Sequence, residues 1–193
     1  LCPEDVKKAM DAQAFDMVLM QLEMPLETIY GTIELAKERH IPVFLDAGPA
    51  IDISLERLKG LFIISPNEAE TFGLTGICPD TDANAFKAAR LLYEKTAPTY
   101  VILKLGDRGI LLYDGKESLR IPCFKVDAVD STAAGDTFGA ALAISLCKGL
   151  SMMDAIRYAQ AAAGICVSRT GAQSSIPTPE EICRFLDSHP NLN

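Results

Sequence analysis

Residues 130–139, DSTAAGDTFG, set two carboxylates, Asp130 and Asp136, around the unobstructed backbone of Ala133, Ala134 and Gly135. An apolar-periodic run containing Phe138, Leu142 and Leu146 follows at once and predicts a helix over 136–148. Consecutive N–H groups at a helix start, with nothing bulky above them, make a cup for an anion, and the helix dipole adds roughly half a positive charge there. Asp136, in the first turn, would face that cup and take a proton from an attacking hydroxyl. That chemistry is phosphoryl transfer without a Walker lysine. The plainer alternative is that Asp130, Ser131 or Asp136 caps the helix, since Asp and Ser are the commonest caps. Against it, two alanines and a glycine in a row are poor turn residues unless something approaches the backbone closely.

The elements that must hold such a site alternate along the chain. Strands are predicted at 17–22, 41–47, 61–65 and 99–105, each nearly continuous in Val, Ile and Leu. Helices are predicted at 4–14, 26–39, about 54–59, 67 to about 72, 82–94, 152–167 and 179–188. The order implies an α/β fold with a mostly parallel sheet covered on both faces. Residues 109–115 and 117–122, joined at Asp114-Gly115, read instead as an antiparallel hairpin at one edge. Ligands of such sheets bind beyond the carboxyl ends of the strands, which directs attention to Glu23, Asp46, Asn67, Gly106 and the loop before Asp136.

With 193 residues, 49% of them hydrophobic, the chain reads as one domain spanning 1–193. A net charge of −8 argues against nucleic acid or an anionic membrane as partner, because both need clustered Lys and Arg. An acidic protein that binds an anionic nucleotide must neutralise it locally, with amides, a helix start, Lys or cations. No apolar run is long enough for a membrane span, and the start LCPEDVKKAM lacks the charged-then-apolar order of a signal peptide, so a cytoplasmic location is expected. The six cysteines form no CxxC pair and read as buried reduced thiols. His40 and His189 stand alone, suggesting neither a metal site nor a triad.

DSTAAGDTF closely resembles the C-terminal signature of the ribokinase (PfkB-type) carbohydrate kinase family. The resemblance implies a ribokinase-like three-layer α/β/α sandwich that uses ATP, Mg2+ and K+ and phosphorylates D-ribose to ribose 5-phosphate. In that reading Asp136 is the base, and the amides around Ala133, Ala134 and Gly135 are the anion hole. SPNEAETFGLTG (65–76) is similar to the family's Asn-x-x-Glu segment, implying that Asn67 and Glu70 arrange magnesium, water and phosphates. KLGDRG (104–109) resembles its nucleotide-binding Gly-x-x-Gly turn, which assigns Lys104, Leu105, Gly106, Asp107, Arg108 and Gly109 to the nucleotide. Taken alone, that turn would serve equally to shape a hairpin entrance. Residues 157–177 look like the family's C-terminal helix and following loop. They imply that Gln160 lines the adenine pocket. K+ would be held by the Asp130 carboxylate, the carbonyls of Thr132, Cys166, Arg169 and Gly171, and the Ser175 hydroxyl. MQLEMPLET (20–28) resembles the segment whose glutamate binds sugar hydroxyls, here Glu23; its plainer role is favourable charge before a helix begun at Pro25.

The resemblance runs from about Phe15 to Phe185 and matches only the family's C-terminal part. The family's first strands, sugar-contacting loop and β lid, the element expected to mediate a homodimer in a full-length parent, have no counterpart in this sequence. Little or no sugar kinase activity is therefore expected of the chain by itself, since a lid keeps water from the phosphoryl group. Two departures sit inside the matched region: DAGPA (46–50) stands where the family tends to have Asn-Pro-Ala-Pro, and Lys104 stands where it often has threonine. DTFGAA also replaces the commoner Asp-Thr-Phe-x-Gly-Ala. Other acceptors remain open, a nucleoside, a fructose-type sugar or a keto-deoxy sugar acid, as does a truncated nucleotide-binding module without turnover.

Overall fold

Val43, Phe44, Leu45 and Asp46 are all buried, as a strand covered on both faces requires, and they form β2 (Val43–Asp46). A computed structural model describes residues 1–190. In it β1 (Val18–Met20), β2, β3 (Ile63–Ser65) and β4 (Tyr100–Lys104) run parallel. The antiparallel strands β5 (Ile110–Tyr113) and β6 (Ser118–Ile121) complete a six-stranded sheet whose spatial order is the chain order. The α/β class, the parallel run and the hairpin edge are as the sequence predicts. Each strand is shorter than predicted by two or three residues in all, because pairing stops before the apolar run does.

Parallel neighbours need crossovers, and these are helices. Helix α1 (Pro3–Ala12) packs on α2 (Leu26–Glu38), which joins β1 to β2. A single 3-10 turn, Leu55–Leu58, joins β2 to β3, and α3 (Glu68–Thr75) and α4 (Asp82–Thr96) join β3 to β4. Ile29, Ile33 and Ala36 of α2 and Ala85, Ala88, Ala89 and Leu92 of α4 share one apolar core with Leu45, Ile64, Val101 and Leu103 of the strands. The hairpin turn is fixed by Asp114, whose Oδ1 accepts the amides of Lys116 at 2.9 Å and Glu117 at 2.7 Å. Helix α3 runs past Phe72 to Thr75, because Gly76 takes the left-handed conformation and its amide closes the helix on the Phe72 carbonyl at 2.7 Å.

The sheet and these helices make one compact unit, Leu1–Ile121; a second compact unit begins at Pro122. The second consists of α5 (Ala134–Cys147), α6 (Met152–Val167) and α7 (Pro179–Ser188), with α6 packed against both others. Ser151 and Thr178 cap α6 and α7 by accepting first-turn amides. Of the cysteines expected to be buried, only Cys166 is; Cys2, Cys78, Cys147 and Cys183 are exposed and Cys123 is intermediate. Among the described residues no helix is long and apolar enough to cross a membrane.

Candidate functional site

In the first unit the candidate residues gather where strands end. Asp46 closes β2, the segment Ser65-Pro66-Asn67 leaves β3, and Lys104 closes β4. Asn67 is the N-cap of α3: its Oδ1 accepts the Glu70 amide at 2.9 Å. Glu70 reaches back, its Oε2 accepting the Asn67 amide and its Oε1 the Asn67 Nδ2, both at 2.7 Å. This reciprocal box orders Glu70 and leaves each carboxylate oxygen with spare acceptor capacity, which suits a group that meets a hydrated cation through water. Burial pushes the Glu70 carboxyl above the ordinary range, opposed by the Asn67 amide and the Lys104 charge and reinforced by Asp46.

Gly48 provides the room Glu70 needs, since a Cβ there would lie 2.5 Å from Glu70 Oε1. The Gly48 carbonyl also accepts the Leu22 amide at 2.7 Å, bringing the exposed Glu23 alongside that corner. The Gly48-Pro49 peptide is cis. Lys104 pairs with Asp46, so two departures from the family pattern, 58 residues apart in sequence, meet in one ion pair.

Beyond β4 the chain makes the tight turn expected of residues 104–109. Leu105 and Gly109 close it, the Leu105 amide donating to the Gly109 carbonyl at 2.8 Å. Gly109 at φ 80 and ψ −139 occupies backbone space open only to glycine. Gly106 and Asp107 are exposed on the turn. Arg108 is not directed outward: its Nη2 donates to Glu68 Oε1 at 2.6 Å and its Nη1 to the Asp80 carbonyl at 3.0 Å. The guanidinium thus pins the turn to α3 and to the connection before α4.

In the second unit α5 begins at Ala134, two residues before the predicted start, because Ala133 turns left-handed at φ 60 and serves as N-cap. The N-cap is Ala133, which supplies no side-chain acceptor. The first turn, with Gly135 and Asp136 exposed, is therefore an anion-attracting helix start. Asp130 is used elsewhere: Oδ1 accepts the Thr132 amide at 2.9 Å and Oδ2 the Gly171 amide at 3.0 Å. The Thr132 hydroxyl, the Gly171 amide and the Thr132 amide together hold its carboxyl down to about 2.

The residues assigned to K+ are brought together around the start of α5 and the end of α6. Asp130 ties Thr132 to Gly171; the Cys166 carbonyl accepts the Arg169 amide at 3.1 Å; Ser175 Oγ donates to the Ala172 carbonyl at 2.6 Å. A carboxylate, a hydroxyl and backbone carbonyls are the hard oxygen donors a large monovalent cation takes. The Arg169 side chain turns away to Glu181 at 2.7 Å and holds that carboxyl down to about 2. Gln160 is 6% exposed and neither end of its carboxamide has a hydrogen-bond partner, an orphaned polar group that fits a ligand-facing role.

Sequence reasoning missed the Cys166 thiol. It lies 3.1 Å from Ser175 Oγ, 3.6 Å from the Thr132 carbonyl and 3.5 Å from Thr137 Oγ1, joining both ends of the Asp130 loop. A polar cluster assembled from residues 9 to 34 positions apart leaves no local signal, although a lone Cys in an Ala-rich helix was visible.

Comparison with known proteins bears on all of this. A family model for pfkB family carbohydrate kinases matches residues 3–179. A ribokinase of Haemophilus influenzae is 41% identical over 172 residues, covering 89% of this chain and 56% of the relative. A deoxyribokinase of Salmonella typhi is 34% identical, covering 96% of this chain and 61% of the relative. The structure of Arabidopsis thaliana ribokinase complexed with ribose and ATP superposes with a TM-score of 0.86 at 31% identity, covering 95% of this chain and 58% of that one. The chain thus spans between half and two thirds of the length of these relatives.

Proposed function

This chain belongs to the pfkB family of carbohydrate kinases, and from that premise we propose that it forms the nucleotide- and phosphate-handling part of a ribokinase, which converts D-ribose and ATP to ribose 5-phosphate and ADP. The observation that carries the reading is the start of α5, where a left-handed Ala133 stands as N-cap and Asp136 sits exposed in the first turn. A second-unit anion site with its own carboxylate is what transfer to a hydroxyl requires.

In this mechanism Asp136 accepts the proton of the sugar's primary hydroxyl as its oxygen bonds to the γ-phosphorus, and the bond to the β-phosphate oxygen breaks to release ADP. The amides of Ala133, Ala134, Gly135 and Asp136 stabilise the charge on the transferring group. Asn67 and Glu70 would hold a hydrated magnesium ion, which would offset phosphate charge. The Lys104 backbone, residues 105–109 and Gln160 receive the nucleotide, and Glu23 accepts hydrogen bonds from sugar hydroxyls. Asp130, Thr132, Cys166, Arg169, Gly171 and Ser175 would hold K+, which would supply positive field and order to the neighbouring anion loop. In this proposal the enzyme is cytoplasmic, and it is a homodimer in its full-length form.

Ribose-dependent ADP release by a protein carrying this chain tests the reading. Asp136→Asn should lower turnover by about 10²–10⁴ while leaving ATP affinity within about threefold. Unchanged turnover would remove Asp136 from the role of base. The likeness to deoxyribokinase favours a second acceptor reading, and a higher kcat/KM for deoxyribose than for ribose would select it. Nucleotide binding without turnover on any sugar would select the binding-module alternative.

A further inference from the structure

Asp46 and Lys104 end β2 and β4, and the end of β3 lies between them in the sheet. Their side chains are 9% and 14% exposed and form an ion pair. Several links from that pair lead to the first turn of α3. Asp46 stands in register with Ser65, and the next residue, Ala47, donates to the Ser65 carbonyl at 3.3 Å. Lys104 donates its amide to the Pro66 carbonyl at 2.9 Å and bridges to Asn67. Two residues past Asp46, Gly48 makes the space that the Glu70 carboxylate fills.

We propose that Asp46 and Lys104 are a mutually dependent positioning pair: together they hold the strand ends that seat Asn67 and Glu70, and the Lys104 ammonium serves Asp46 and not a nucleotide phosphate. A low-exposure pair of this kind tolerates joint replacement by neutral groups far better than loss of one partner, which strands a charge where water is scarce. The family-like neutral residues, asparagine at 46 and threonine at 104, are then a substitute for the pair as a unit. Either one alone is a defect.

The functional half of this inference rests on the kinase reading; the structural half does not. The test is a cycle of Asp46→Asn, Lys104→Thr and the double variant, read by urea unfolding without ligand and by calorimetric titration with a non-hydrolysable ATP analogue plus Mg2+. Each single change should weaken analogue binding by about tenfold and lower the unfolding midpoint, with the double variant within about twofold of the parent in affinity and close to it in midpoint. Lys104→Thr losing affinity that Asp46→Asn does not restore would show that Lys104 meets phosphate itself, and would overturn the proposal. Additive losses in unfolding would overturn it as well. A single variant that fails to fold supports the proposal if the double variant folds and refutes it if the double variant also fails. Should the parent bind no analogue, the kinase reading falls, and the unfolding cycle alone decides the pair.

Discussion

Asp130 Oδ2 accepts the Gly171 amide at 3.0 Å, so one carboxylate fastens the segment before α5 to the loop after α6. Its other oxygen takes the Thr132 amide, and the carboxyl is held down to about 2 from the usual 3.8. A carboxyl depressed on folding stabilises fully above its unfolded value and loses that contribution as pH falls through the folded one. Asp130→Asn should therefore be less stable than the parent at pH 7, and the difference should shrink as pH drops from about 4 toward 2. Urea unfolding at stepped pH measures it. A difference independent of pH would mean that the charge on Asp130 is not what the two amides use.

Gly48→Ala puts a methyl 2.5 Å from Glu70 Oε1, the mobile end of a side chain and not backbone. The fold should survive, at a cost of about 1 kcal/mol or less, because the carboxylate can swing aside and only the box at Asn67 loosens. What should change is magnesium dependence: the half-saturating Mg2+ for analogue binding should rise several-fold. Crystallography or thermal melting with graded Mg2+ would find Glu70 displaced; an unshifted magnesium requirement would separate Glu70 from the cation.

Asn67 carries two functions that substitution can divide. Asn67→Ala removes the acceptor of the Glu70 amide and should cost about 1 kcal/mol of stability. Asn67→Asp keeps that acceptor but replaces the Nδ2 donor, 2.7 Å from Glu70 Oε1, with a second carboxylate oxygen. It should fold with a midpoint nearer the parent at low pH, where one proton bridges the two carboxyls, and lose stability as pH rises past their ionisation. A midpoint difference flat between pH 4 and 8 would contradict the geometry.

The parallel strands and the hairpin edge were legible because buried parallel strands declare themselves as unbroken Val, Ile and Leu runs, and Asp114-Gly115 declares the hairpin. The start of α5 was misplaced by two residues, since no side-chain cap marks it and a left-handed alanine has no sequence signature. Asn67 and Glu70 were singled out by resemblance to an Asn-x-x-Glu segment, whose spacing is also that of a capping box; sequence could not show that the box is what orders the carboxylate. Arg108 was read as part of a nucleotide turn, but its guanidinium is committed to Glu68 and the Asp80 carbonyl. The Asp46–Lys104 pair was beyond reach for a different reason. Each residue was noticed as a departure, and only the sheet order brings two strand ends 58 positions apart into one ion pair.

Ala133 at φ 60 and Ala97 at φ 42 are both left-handed, a conformation that costs a Cβ-bearing residue about 1–2 kcal/mol. Glycine removes that cost at either place while losing more backbone entropy on folding, so Ala97→Gly and Ala133→Gly should each gain about 0.5 kcal/mol or slightly more. The two sites differ in what the strain serves. Ala97 ends α4 with its amide on the Tyr93 carbonyl at 2.8 Å, and easing it should raise the melting point and nothing else. Ala133 fixes the angle at which the chain enters the first turn of α5, and a glycine there frees the same amides that, in the proposed mechanism, phosphate would meet together. Ala133→Gly should thus combine a higher melting point with analogue affinity weakened about three- to tenfold, because ordering the loop moves from folding to binding. Calorimetry on both variants separates the cases: affinity untouched by Ala133→Gly would mean that the left-handed alanine only ends a loop, and the anion cup would need another wall.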